Sequence, residues 1–325
     1  GKVSIVNFGT GTFTNNGALK ATDGGTVDAN SLTNLNSGRL VGGQYLVSGA
    51  SSIAKLPDFV TSLKASITID GQGAQIQTHD YQTSALGFLA NIEAGGSLTL
   101  KNSHREETDG SLANAGDLVI RDHSTLNVHG HFSQTSGELY MPDIDSSLIA
   151  QGGFHISGGT VKGQGHIVSP QLTIEASLIS PGNSPGLLSL DGNTSLAGTT
   201  ALLMEVAGPG IGIGYDSITV TGMMNLADAV LQVSLIDDWY LRVTQQDVFT
   251  LVSAPSLVGQ FHGLADGARF DTIDGHGSFA IHYTTNAVQL SDFQVHSVPE
   301  PSAYMLAAVG FIGAVLLRKR ASICR

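Results

Sequence analysis

The sequence predicts an all-β protein: a right-handed parallel β-helix, a β-rich closing region, and a single C-terminal transmembrane helix. Three observations predict it. Glycine is abundant while charge is scarce. Short Gly-x-Leu or Gly-x-Val units return about every 21 residues. An uncharged run near the end of the chain stops at a basic cluster.

Composition sets the class. The chain has 325 residues with 41 Gly, 41% apolar and 13% charged residues, and only 6% aromatics. That is too apolar for a disordered chain. Glu and Lys, which long helices favour, are in short supply. Gly and Asn instead mark frequent turns between short strands. The formal charge of −12 repels phosphate backbones, so nucleic acid is not expected as a partner. The single cysteine, Cys324, allows no intrachain disulfide and is read as an inert tail thiol. The chain opens at Gly1 inside a repeat, without a charged-then-apolar leader, so an N-terminal truncation is expected.

The repeat comes first along the chain. The segment from Asn15 aligns without gaps with that from Asn114, 99 residues later. Gly17, Leu19, Asp23, Thr26, Gly38 and Leu40 recur as Gly116, Leu118, Asp122, Thr125, Gly137 and Leu139. A shorter beat runs through Gly17, Gly38, Gly96, Gly116, Gly137 and Gly159. This length suits one coil of a parallel β-helix. Period-two alternation places Leu118, Ile120, Leu126 and Val128 on one face. One coil cannot bury that face, but stacked coils can, with Gly and Asn at positive-φ corners. Between Gly38 and Gly96, further coils are expected. Ile67–Ala74 reads as strand then turn, and Ser52–Lys64 as an excursion from the coil. The β-helix is assigned to residues 1–185.

From Ile179 the text changes, and residues 186–297 form the closing region. Its landmarks are Ser-Pro-Gly-Asn-Ser-Pro-Gly from Ser180, Tyr-Asp-Ser-Ile-Thr-Val-Thr-Gly from Tyr215, and Asp-Val-Phe-Thr-Leu-Val from Asp247. Here the chain resembles the C-terminal passenger part of autotransporter-type β-helical proteins. No membrane β-barrel follows, so export through a cleaved signal peptide is the expectation rather than a type V route. In that family the segment covers the solenoid's open edge, which would otherwise recruit other strands. Trp239 and Tyr240 fit such a closing element as packing residues.

Residues 298–325 carry the address. Ala303 to Leu317 are uncharged, and Arg318, Lys319 and Arg320 follow at once. The run is shorter than the ~20 residues of a usual span. The basic trio would stay cytoplasmic, leaving the large N-terminal part outside. Val298, Pro299, Glu300 and Pro301 introduce the run, and two prolines around one residue leave an extended, accessible peptide. Pro-Glu-Pro, then a short hydrophobic helix, then a basic cluster: the tail resembles the PEP-CTERM family of sorting signals. The resemblance implies export from a Gram-negative bacterium and recognition by an exosortase near Pro299-Glu300-Pro301. It also implies at least transient residence in the inner membrane and an envelope or exopolysaccharide-matrix setting.

The chemistry-bearing residues are read against their plainer roles. His123, His129, His131, His155 and His166 could gather, but no Cys or Glu completes a zinc or copper set. Asp143, Asp145, Asp237 and Asp238 offer hard oxygens for calcium, without the Gly-Gly-x-Gly-x-Asp series of calcium-binding β-rolls. Arg105, Glu106, Glu107 and Asp109 read as a solvated charged loop. Gly9-Thr10-Gly11 and Gly208-Pro209-Gly210 lack the Lys or helix of a phosphate-binding loop. No metal or cofactor is assigned. The expectation is a non-enzymatic surface scaffold or adhesin, sorted by an exosortase and associated with exopolysaccharide. The alternative is a polysaccharide lyase or hydrolase, which would need paired carboxylates and a basic residue in a groove.

Overall fold

A computed structural model describes residues 5–7 and 11–296. The sorting residues Val298 to Pro301, the apolar run and Arg318, Lys319 and Arg320 lie outside them. Among the described residues no helix is long and apolar enough to cross a membrane.

The body is a β-solenoid in which each coil contributes one strand to each of three parallel ladders. The first ladder stacks Ala18–Thr22, the second half of Arg39–Ser48, the second half of Ser62–Asp70, Ser97–Lys101, Asp117–Ile120, Glu138–Met141 and Thr160–Gly163. It continues through Leu178–Pro181 and Ala201–Val206 to Val230–Leu235. Period-two alternation explains the interior. Leu19, Tyr45, Ile67, Leu98, Leu118, Leu139, Val161 and Ile179 stand in one buried column. Leu126, Leu148 and Ile167 make a second column on the next ladder. The third carries Leu112, Phe132, Phe154 and Leu172, with the two phenyl rings stacked at 5.3 Å. The alternate residues face outward, and most are Ser, Thr, Asn, Asp, Lys or His.

The glycine beat is a corner. Between the third and first ladders the backbone of each coil lies against the one before. A Cβ on Gly116 would sit 2.2 Å from the Gly96 carbonyl oxygen, and one on Gly159 2.4 Å from that of Gly137. Only a residue without Cβ tolerates that approach. The same corner carries a buried amide stack. Asn114 accepts from the Gly116 amide at 3.2 Å and donates to Gln134 Oε1 at 2.9 Å, while Gln134 donates on to the Thr160 carbonyl at 3.1 Å. Asn15 accepts from the Gly17 amide at 3.1 Å in the same way. The 99-residue alignment of Asn15 with Asn114 is therefore a true structural equivalence over this corner and the strand after it.

It fails at the next glycine. Leu40 follows Gly38 and pairs with Leu63 of the third ladder, whereas Leu139 follows Gly137 and pairs with Leu118 of the first. The register partner of Gly17 is Gly43, since Ala18 pairs with Gln44. Gly38 and Gly137 both take a positive φ before an alternating strand (78° and 73°), so the two look alike in sequence.

Ser52–Lys64 is not an excursion. Ile53–Leu56 belongs to the ladder of Thr26–Asp28 and Gln75–Thr78, with Ala54 and Leu56 inward and Lys55 outward. The departure from the coil lies instead between Thr78 and Asn91. Parallel pairing also runs on beyond residue 185, through Leu187–Leu196, Ser217–Val220 and Met223–Asn225 to Ser256–Val258. Antiparallel strands then close the end. Arg269–Asp271 pairs with Gly277–Tyr283, and Gly277–Tyr283 with Ala287–Val295. That last strand returns to pair with Phe249–Ser253. Phe249, Phe279 and Phe293 plug the space beneath, with centroids 5.8 and 4.9 Å apart. Trp239 and Tyr240 open a short 3-10 turn packed on this core, and Tyr240 stacks on His276 at 4.0 Å.

Candidate functional site

The histidines singled out in the sequence do not converge. His123, His129, His155 and His166 each sit on an outer position and face a carboxylate of a neighbouring coil. His123 lies 3.3 Å from Asp145, His155 3.7 Å from Glu175 and His166 3.4 Å from Asp191. His129 lies 3.8 Å from both Glu107 and Asp109. His131 and His155 occupy one ladder two registers apart, since His131 pairs with Gly153. Asp143 uses its carboxylate to accept the Asp122 amide at 2.7 Å. Asp237 and Asp238 hold the left-handed turn before the 3-10 helix. Among the described residues no group of three or more His, Cys, Asp or Glu is placed to hold a metal ion.

The second ladder has one interruption, and polar chemistry collects there. Gln75–Thr78 does not pair with the next strand of its side, Arg105–Thr108; residues 79–90 come between. Their backbone is pinned to the coils. Ala85 N donates to Ile76 O at 2.9 Å, Val60 N to Ala85 O at 2.8 Å, and Asp109 N to Gly87 O at 2.7 Å. Ala85, Leu86 and Leu89 are buried, so the excursion is an anchored part of the wall. Beneath it Glu106 points inward, where the same column carries Leu126 and Leu148 on later coils. An unpaired buried carboxylate would be costly, and this one is fully engaged. Ser84 Oγ donates to its Oε1 at 2.5 Å, and His104 Nε2 lies 3.1 Å from its Oε2, with both partners of that pair buried.

The reading of Arg105, Glu106, Glu107 and Asp109 as a solvated loop is thus corrected in part. Arg105–Thr108 is a strand whose alternation sends Arg105 and Glu107 out and Glu106 and Thr108 in. Ser84, Glu106 and His104 form a chain with the carboxylate in the middle. A nucleophilic serine needs an imidazole next to its hydroxyl, so this order suits a structural clamp.

Over the clamp lies a cleft of about 610 Å³ whose wall combines rings with charges. Phe59, from the preceding coil, stacks on Tyr81 at 5.8 Å and meets Phe88 edge-on at 4.7 Å. Tyr81 is 69% exposed and Phe88 50% exposed. Arg105, Glu107 and Asp109 also line it. Sequence reasoning missed the aromatic part, because Phe59, Tyr81 and Phe88 are scattered in sequence and belong to no repeat. The available signal was local: in a chain this poor in aromatics, Phe59, Tyr81 and Phe88 all fall between Gly38 and Gly96, where the regular glycine spacing lapses.

Fold and surface together define the class: a capped parallel β-solenoid with polar outer faces. Residues 297–320, directly after the cap, match the PEP-CTERM protein-sorting motif. The match takes in Val298, Pro299, Glu300 and Pro301 together with Arg318, Lys319 and Arg320. The protein is accordingly a β-solenoid bearing a PEP-CTERM motif, which marks it as an exported precursor with a membrane-anchoring tail. No curated protein matches the chain.

Proposed function

We propose that this protein is a substrate of an exosortase and serves, after export from a Gram-negative cell, as a non-enzymatic scaffold or adhesin of the envelope or extracellular matrix, in contact with exopolysaccharide. The observation that carries the reading is the sorting motif at residues 297–320 following a capped solenoid. Supporting it, the outward positions of the ladders are mainly hydroxyls, amides and His–carboxylate pairs, as in Ser97 bonded to Ser66 at 2.9 Å and Thr125 to Ser147 at 3.1 Å. Such faces are wettable and suit many weak contacts with sugar hydroxyls.

The test uses the full chain in its native host, with and without the exosortase. Mass spectrometry of the mature C-terminus and cell fractionation are the readouts. Loss of the tail near Pro299, with delivery of the body to the surface or matrix only when the exosortase is present, is the expected result. A retained tail and a periplasmic body in both strains would overturn the sorting reading. A polysaccharide-cleaving enzyme is the second reading, favoured by the carboxylates beside Arg105. Against it, both oxygens of Glu106 are already engaged. Release of new reducing ends from a polysaccharide by the pure protein, lost in Glu107→Gln, would establish that second reading instead.

A further inference from the structure

We infer that the cleft lined by Phe59, Tyr81 and Phe88 together with Arg105, Glu107 and Asp109 binds an uncharged pyranose chain. This rests on the reading that the solenoid meets polysaccharide, and it supplies the place and the sugar class.

Three features of the cleft point the same way. The first is where the aromatic surface lies. Most of the large rings of this fold are spent on the interior, with Phe132, Phe249, Phe261 and Phe279 fully buried. Tyr81 and Phe88 stay open to water, joined through Phe59 into one apolar platform. Clustered exposed rings beside polar groups mark a binding surface. The second is rigidity. The platform stands on residues fixed by buried Leu86 and Leu89, by three backbone hydrogen bonds to the coils, and by the Ser84–Glu106–His104 clamp. A preformed site loses little freedom on binding. The buried carboxylate thus acts as a positioning group for the loop. The third is chemistry. The volume lies in the ~300–1,000 Å³ range of small-ligand sites, which combine apolar walls with a few placed polar groups. A pyranose ring matches this layout: its C–H face packs on an aromatic ring, and its hydroxyls donate to carboxylates and accept from a guanidinium.

Charge selects among sugars. Glu107 and Asp109 line the cleft with exposed carboxylates, each 3.8 Å from His129, and Arg105 is the one guanidinium among the lining residues. A uronate or a phosphorylated sugar would bring a further negative charge to a cleft on an acidic protein, whereas a neutral hydroxyl brings none.

The test is calorimetric binding of the purified full chain to three probes of equal length: a β-1,4-glucose hexamer, a galacturonate hexamer and a glucosamine hexamer. The glucose hexamer should bind, and the galacturonate hexamer should not. The double variant Tyr81→Ala, Phe88→Ala should weaken glucose-hexamer binding about tenfold or more, and Asp109→Asn should weaken it less. Both ring positions are exposed, so the fold should survive, which the circular dichroism spectrum checks. Unchanged affinity in the double variant, or preference for either charged hexamer, overturns the inference. Failure of all three probes overturns it too. The outcome separates from that of the sorting experiment. If the double variant is still exported and processed and still sediments with exopolysaccharide, the general reading stands and this site falls.

Discussion

Gly137 tests whether the corner glycines, rather than the apolar columns alone, set the pitch of the coils. Replacing it by alanine has two costs. Its φ of 73° lies in the left-handed region, which costs a residue with Cβ roughly 1 kcal/mol. The new Cβ would also stand 1.9 Å from the Gly116 carbonyl oxygen and 2.7 Å from its carbon. The coils must part there by more than an ångström, and that carbonyl accepts the Glu138 amide at 3.0 Å. Losing a buried backbone hydrogen bond adds about 1–3 kcal/mol. The expected total is about 2–4 kcal/mol. Gly95 is the control: its φ is 81°, and nothing lies within 4 Å of a Cβ placed there, so Gly95→Ala should cost only the backbone share, about 1 kcal/mol. Urea unfolding of the full chain, followed by far-ultraviolet circular dichroism, reads the difference as a midpoint shift at constant slope. Equal midpoints for the two variants would refute the argument, since both carry the same backbone strain.

Two further outcomes follow from burial. Asp216 is buried, accepting the Gly186 amide at 2.7 Å and the Glu205 amide at 2.8 Å. Burial, aided by the nearby Glu205 carboxylate, nonetheless pushes its carboxyl up to about 7 from an ordinary value of 3.8. A folded-state value above the unfolded one gives stability that is full below pH ~4 and lost as pH rises through ~7, by roughly 4 kcal/mol at most. Asp216→Asn removes this titration, so urea midpoints of wild type and variant measured at pH 4.5 and 7.5 should diverge in their pH dependence; parallel curves would contradict the assignment. Leu148→Ala empties part of the second inner column and should cost about 2–5 kcal/mol, while Ser147→Ala, its outward neighbour, should stay within about 1 kcal/mol. Thermal unfolding of the pair distinguishes them, and similar losses would mean that the column is not the core.

How much of this was legible in the sequence depended on whether the signal was periodic. Leu118, Ile120, Leu126 and Val128 follow the strand period and were placed inward from sequence alone, where they are found. The glycine beat announced the corner because the close approach that excludes a Cβ recurs at Gly96, Gly116, Gly137 and Gly159 on successive coils. Sequence pattern erred where two different corners use the same residue, as at Gly38. It also erred at Ser52–Lys64, read as an excursion although Ala54 and Leu56 keep the inward alternation. The cleft was invisible for another reason. Phe59, Tyr81, Phe88 and Arg105 meet only because the excursion at 79–90 folds back over the wall, and no local pattern states which way a loop turns. Glu106 shows the same limit. Within Arg-Glu-Glu it reads as solvated, and only the strand phase reveals that it faces the interior.

The antiparallel cap has a mechanical side. Its last strand, Ala287–Val295, is also the segment that leads into residues 297–320, so any tension on a tethered tail enters the body at Val295 and the Gly277 backbone paired with it. From there the pull passes along the hairpin to Phe249–Ser253, the strand that among the described residues pairs both with the tail strand and with the parallel coils. Arg269 straddles this junction, donating to the Ser278 carbonyl at 3.2 Å and the Asp292 carbonyl at 2.9 Å and pairing with the Asp292 carboxylate. The cap is therefore the element that would yield first under drag on an anchored rod, giving way hairpin first while the stacked coils behind it keep their register.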